Sequence, residues 1–210
     1  VRLFAAIAVP AEVAAALGEV IRPLPAMAPA GLRWTSPDDW HLTLAFYRQV
    51  PDDRVPDLQV RLARAVARRT APTLAVGPLG TFGPTRAARV LWVGLEGDLH
   101  LLRSLAASAR AAGRRVGLDG ADLAPRRPFR PHLTLARARS GADLRGVLAA
   151  ATARPGLPGL GWQADEAVLV RSDLGQGPGG AARHTVLARL PFSRRGWAGE
   201  AERSTHAGPR

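Results

Sequence analysis

The chain is 210 residues long with a formal charge of +12; its 29 basic residues are all arginine, and it contains no lysine, asparagine or cysteine. The missing cysteines exclude disulfides, thiolate metal sites and cysteine nucleophiles. The missing lysines exclude a P-loop, a lysyl-adenylate and Schiff-base chemistry. The arginine excess leaves two readings open, a polyanionic partner or a solvated surface in a composition that leans to Ala, Arg, Gly and Pro throughout.

In chain order, Arg2 to Val9 is predicted as a strand, followed by a helix with Pro10 in its first turn, where a proline is tolerated. Val13, Leu17 and Val20 recur there at helical spacing, and Pro23 and Pro25 end the run. A loop leads through Arg33-Trp34 and the turn Ser36-Pro37-Asp38-Asp39 into a second strand. Asp52 or Asp53 is placed to cap a helix with an apolar stripe of Val55, Leu58, Leu62 and Val66. Short strands over Thr73 to Val76 and Val90 to Gly94 flank a Gly/Pro loop that contains Phe82. A helix from Asp98 to Ala112 turns Leu102, Leu105 and Ala109 inward and has Gly113 as its stop signal. After a loop from Arg114 to Phe129 comes another strand, then a helix capped by Ser140, and two closing strands, Ala164 to Arg171 and His184 to Leu190. Residues 1–192 are expected to form a single domain, and 193–210, polar and aperiodic, a disordered tail attached through Trp197. No apolar run reaches membrane-spanning length, and the amino-terminal run Leu3 to Val9 lacks the flank and length of a signal peptide, so a soluble cytoplasmic protein is the expectation.

One string breaks this ordinary pattern. His41-Leu42-Thr43-Leu44-Ala45 recurs letter for letter as His132-Leu133-Thr134-Leu135-Ala136, in a chain with only 5 histidines. Alternation on a strand sends His41 and Thr43 to one face and Leu42 and Leu44 to the other, and the second copy does the same. The copies lie 91 residues apart, a lobe-sized offset. They point to an α+β protein with two similar lobes of mainly antiparallel sheet, related by a pseudo-twofold and meeting at a central cleft. Two facing His/Thr pairs suit a phosphodiester. A neutral imidazole accepts a proton from water and a protonated one donates to the leaving oxygen, while two hydroxyls donate to the non-bridging oxygens. A metal site is the rival use of two histidines, but neither string contains a carboxylate or thiolate to complete a ligand set. Arg130 and Arg137 flank the second string, and Arg130 is the first choice for a phosphate contact. Trp34, Phe46 and His184 are candidates to stack on a base. His100 falls in a helix and His206 in the tail; both are read as surface residues.

The paired His-x-Thr-x strings resemble the two-histidine phosphoesterase superfamily. The wider context resembles its LigT-like branch, the RNA 2′,3′-cyclic phosphodiesterases, through Arg2-Leu3-Phe4, Leu32-Arg33-Trp34, Arg89-Val90-Leu91-Trp92, the run Arg127 to Arg137, and Val170-Arg171-Ser172-Asp173-Leu174. The resemblance implies a bilobal fold and hydrolysis of an RNA or nucleotide 2′,3′-cyclic phosphate to the 2′-monoester without metal or cofactor. It implies His41 as proton donor and His132 as base, with ATP-independent 2′-5′ ligation as the reverse reaction. The chain departs from the family pattern at Tyr47-Arg48, where Leu-Gly is usual, and at His184, where Tyr is usual. A monomer is expected. Two other readings stay open at this level: a module that binds RNA ends without turnover, and a phosphodiesterase for a small cyclic-phosphate metabolite.

Overall fold

The structure, a computed structural model, describes residues 1–118, 128–152, 160–177 and 180–193. Among the described residues, nine strands and four α-helices follow the chain as β1 (Leu3–Ala8), α1 (Ala11–Ile21), β2 (Leu32–Trp34), β3 (His41–Tyr47), α2 (Val55–Ala67), β4 (Thr73–Phe82), β5 (Ala88–Gly97), α3 (Leu99–Arg115), β6 (His132–Ala142), α4 (Arg145–Thr152), β7 (Gly161–Gln163), β8 (Glu166–Asp173) and β9 (Arg183–Pro191). All strands join one antiparallel sheet in the order β7-β4-β5-β6-β3-β1-β8-β9, with β2 paired to β6. Its middle is pinched. Among the described residues β3 and β6 share one register pair, Leu42 with Leu133, and that waist divides the sheet into two lobes. The mixed α+β, two-lobed antiparallel architecture expected from the sequence is the one observed.

The lobes are not the two halves of the chain. β1 and β3 are joined by β8 and β9 from the carboxyl end, while β4, β5, β6 and β7 build the other lobe with β2 threaded back from the first half. The helices follow the same exchange. α2 and α3 lean on each other and on β3, β8 and β9, whereas α4 packs on β4. The α2 stripe Leu58, Leu62 and Val66 and the α3 stripe Leu102, Leu105, Ala106 and Ala109 are all buried. Each such leucine contributes roughly 1.5–3 kcal/mol of burial free energy. Alanines at 106, 109 and 112 keep α3 close to the sheet, and the Tyr47 hydroxyl crosses that short gap to donate to the Ala109 carbonyl at 2.8 Å.

Some local expectations are corrected. Ser140 caps no helix; β6 runs through it to Ala142, and α4 begins after Asp143, whose carboxylate takes the Arg145 N–H at 3.1 Å. Gly113 does not stop α3, which continues to Arg115; the left-handed turn falls at Gly117, with φ of 81°. Asp52 and Asp53 lie in a short 3-10 turn ahead of α2 and make no side-chain cap. Both central strands of the second lobe outgrow their predicted ends, β4 reaching Phe82 and β5 spanning Ala88 to Gly97, because they pair with each other across a bulge. β2 and β7, three residues each, carry too little pattern to be read from sequence. Trp197, His206 and the tail from 194 onward lie outside the described residues.

Candidate functional site

At the waist, the Leu42–Leu133 pair sends both leucines into the core, each with 0% exposure. Continuing that antiparallel register by one residue sets His41 opposite Thr134 and Thr43 opposite His132, so all four polar side chains share the opposite face. The duplication extends to hydrogen-bond register. β1 pairs Ala8 with His41, Ile7 with Leu42, Ala6 with Thr43 and then Ala5 with Ala45. β5 pairs Gly94 with His132, Val93 with Leu133, Trp92 with Thr134 and then Leu91 with Ala136. Both motif strands therefore carry one extra residue at the same place, a β-bulge at Leu44 and at Leu135.

The bulge changes which side chains reach the site. Leu44 and Ala45 are consecutively buried, as are Leu135 and Ala136, so alternation slips by one. Phe46 and Arg137, which strict alternation would put with the leucines, emerge on the histidine face as exposed side chains. They occupy equivalent slots in the two lobes: one supplies an aromatic ring, the other a guanidinium.

The histidines are held alike. His41 Nδ1 donates to the Asp39 carbonyl at 2.6 Å, and His132 Nδ1 donates to the Arg130 carbonyl at 2.7 Å. A carbonyl can only accept, so this fixes the tautomer and leaves both Nε2 atoms for chemistry. His41 stacks on Phe4 (4.6 Å between centroids, 22° between planes), and His184 meets both edge-on, at 5.6 Å from His41 and 5.1 Å from Phe4. Phe46 closes the cluster 5.7 Å from Phe4. Across the cleft, Phe82 and Trp92 stand edge-on to His132 at 4.8 and 6.1 Å, and the Arg130 guanidinium carbon sits 5.4 Å over Trp92. Among the described residues no partner is found for the Thr43 or Thr134 hydroxyl; both are half-buried on the cleft face.

Electrostatics separate the two halves. Burial, followed by the His184 and Arg137 charges, pulls the His41 pKa from 6.5 to about 4, against the raising effect of the Asp39 carbonyl and carboxylate. Burial also lowers His132, and there Arg137 and Arg130 both add to the lowering. Arg137 acts on both rings, and its own pKa is lowered by the surrounding protein and by Arg2. Residues 39 and 130 fill the same slot in the two lobes but carry opposite charge. The carboxylate favours protonated His41, and the guanidinium favours neutral His132.

Of the sequence candidates, His41, His132, Thr43, Thr134, Phe46 and His184 converge on one face. Arg130 is adjacent, stacked on Trp92. Trp34 packs against the core opposite Ala136 and makes no ring contact with either histidine among the described residues. Sequence reasoning missed Phe4 and Trp92 as supports for the histidine rings, and mentioned Phe82 only as part of a loop. It also ranked Arg137 below Arg130.

Trp92 depends on a glycine. Gly80 is its register partner, and a Cβ there would stand 2.3 Å from the indole. Gly80→Ala is expected to displace Trp92, loosen Arg130 and His132, and lower kcat about tenfold, as positioning losses do. Kinetics compared with a thermal melt check this, since an activity loss no larger than the unfolded fraction explains would remove Trp92 from the positioning of His132.

A family model for LigT like Phosphoesterase matches residues 7–92. An RNA 2′,3′-cyclic phosphodiesterase of Thermus thermophilus is 34% identical over 203 residues, which is 93% of this chain and 91% of that protein. One of Geobacillus stearothermophilus is 32% identical over 76% of this chain, which spans only 47% of that longer protein. A crystal structure of TT0787 of Thermus thermophilus superposes with a TM-score of 0.70 at 31% identity, covering 91% of this chain and 98% of that one. The chain belongs to the LigT-like phosphoesterase family.

Proposed function

We propose that the protein hydrolyses the 2′,3′-cyclic phosphate at an RNA end or on a nucleotide, leaving a 2′-phosphomonoester. The observation that carries this reading is the pair of identical His/Thr strings in identical register, each histidine with Nδ1 tied down and Nε2 presented to a shared cleft. The names of the relatives supply the substrate class. Water attacks phosphorus as His132 Nε2 takes its proton; the P–O3′ bond breaks, and His41 Nε2 delivers its proton to O3′. The family pattern assigns donor and base in this order, and the opposite charges of Asp39 and Arg130 agree with it. Thr43, Thr134 and Arg137 donate to the non-bridging oxygens as their charge rises. The same groups work in the same direction when a 5′-hydroxyl replaces water as the nucleophile: it gives its proton to His132, the P–O3′ bond breaks, His41 protonates O3′, and a 2′-5′ linkage forms. The reaction uses no cofactor, and the protein acts as a monomer. The deciding experiment incubates an RNA ending in a 2′,3′-cyclic phosphate with the protein in excess EDTA and sorts the products. A 2′-phosphate is expected; a 3′-phosphate, or binding without turnover, would reject the mechanism.

The lowered histidine pKa values set a pH dependence. In the free protein both rings are neutral at pH 7, yet catalysis needs one of them protonated. kcat/KM reports the free-protein values, so its bell should peak below pH 6.5 and fall as pH rises. A bound phosphodiester anion favours both imidazoliums, so the kcat profile should peak at higher pH. Steady-state rates from pH 4 to 9 check this, and a kcat/KM maximum above pH 7 would contradict it.

A further inference from the structure

Hydrolysis at the histidines leaves one built feature unused. A cavity of about 640 Å³ opens at the amino-terminal end of β1, lined by Arg2, Arg48, Gln49, Ser172, Asp173 and Gln176. That is within the range of roughly 300–1,000 Å³ typical of ligand sites. It adjoins the ring cluster on the same face of the sheet. The Arg2 guanidinium carbon stands 6.0 Å over Phe46, and Ser172 is the register partner of His184.

Two polar groups of its wall, on Ser172 and Arg2, are not spent on the fold. Ser172 is 7% exposed, and its hydroxyl has no partner among the described residues. Arg2 Nε is buried and also unpartnered. Leaving such donors unmade is costly unless something accepts from them. The acidic wall residue is already occupied, since Asp173 takes the Arg171 Nε–H at 2.9 Å. Gln176 accepts from Arg183 at 2.7 Å. Arg2 therefore offers the cavity an unmet charged donor, with Arg48 also in the wall, and an anion with several acceptor oxygens satisfies the Arg2 guanidinium and the Ser172 hydroxyl together.

We infer that this cavity holds a phosphate one nucleoside away from the cyclic phosphate, on its 5′ side, with Phe46 and His184 contacting the nucleoside between. The inference rests on the proposed cyclic phosphodiesterase reaction. The phosphate can belong to an RNA strand or to the 5′-phosphate of a free nucleotide, and the chemistry read by the cavity is the same.

The test measures kcat/KM for adenosine 2′,3′-cyclic phosphate, for the same compound with a 5′-phosphate, and for a diadenosine carrying the cyclic phosphate. A gain of about tenfold over the first substrate, mostly in KM, is expected for one or both of the others from a charge-assisted contact. A gain for the dinucleotide alone identifies an RNA strand as the source; a gain for both includes free nucleotides. Arg48→Gln should bring the ratio near one, while Arg61→Gln, on the exposed face of α2, should preserve it. An unchanged ratio in Arg48→Gln, or a ratio of one in the unaltered protein, would overturn the inference. Should none of the three be hydrolysed, the proposed reaction fails instead. Calorimetric titration with adenosine 5′-monophosphate then decides the cavity alone: binding weakened about tenfold by Arg48→Gln supports it, and equal binding rejects it.

Discussion

Replacing His132 by alanine is expected to lower kcat/KM on an RNA 2′,3′-cyclic phosphate by about 10³-fold, and His41→Ala by a comparable factor, since each removes one proton transfer. Groups that act in one concerted step are not additive, so the double variant should be scarcely worse than either single one. The pH profiles separate the roles. Without His41 the residual rate depends only on neutral His132, so the alkaline limb disappears. Without His132 it depends only on protonated His41, so the acid limb disappears. Variants that retain more than a tenth of the activity, or that lose the same limb, would remove the acid–base pair from the reaction. The Phe4 stack under His41 is part of this expectation. Phe4 is 2% exposed within a small cluster with Ala6, Val168 and Val170, separate from the main core, and this cluster holds the ring rather than the fold at large.

The second large effect is expected at Arg137. Removing it as Arg137→Gln should cost about 10²–10³ in kcat, the scale of losing one donor to a developing oxyanion charge. Arg137→Lys should recover only part of this, because a point charge does not reproduce a planar fork of donors. A second readout distinguishes a contact to phosphate from simple support of the strand. Arg137 lowers the pKa of both histidines, so its neutral replacement should move the kcat/KM optimum to higher pH. A fall in rate without that movement would place Arg137 outside the electrostatics of the site.

The difference between Arg130 and Arg137 shows how far the sequence could be read. Alternation and identity single out both histidines and both threonines, because these lie ahead of the bulge, where period two holds. Beyond Leu44 and Leu135 it does not hold. A bulge has no residue signature here, since no glycine or proline marks it, and only the pairing of β3 with β1 and β6 with β5 creates it. Phe46 stands out on chemistry although its parity is against it, whereas Arg137 ranks below a neighbour that stacks on Trp92. The lobes were legible in number but not in composition. Nothing local in Glu166 to Asp173 says that this segment pairs with β1 rather than with β7 just ahead of it. Phe82 was hidden for a related reason: Gly80 and Gly83 make its surroundings look like a loop, and only pairing with Val90 makes it a strand.

The exchange of strands between lobes also orders events during synthesis. β1 leaves the ribosome ahead of the other described strands, and its partner β3 follows within about 40 residues. Its other edge, however, waits for β8, more than 150 residues later, and His184 arrives after that. Contacts of such sequence separation form late, because a long loop must close first. The nascent chain thus carries both His/Thr strings well before the wall around His41 is complete, and β8 and β9, made after the other described strands, are the ones that close the cleft on that side.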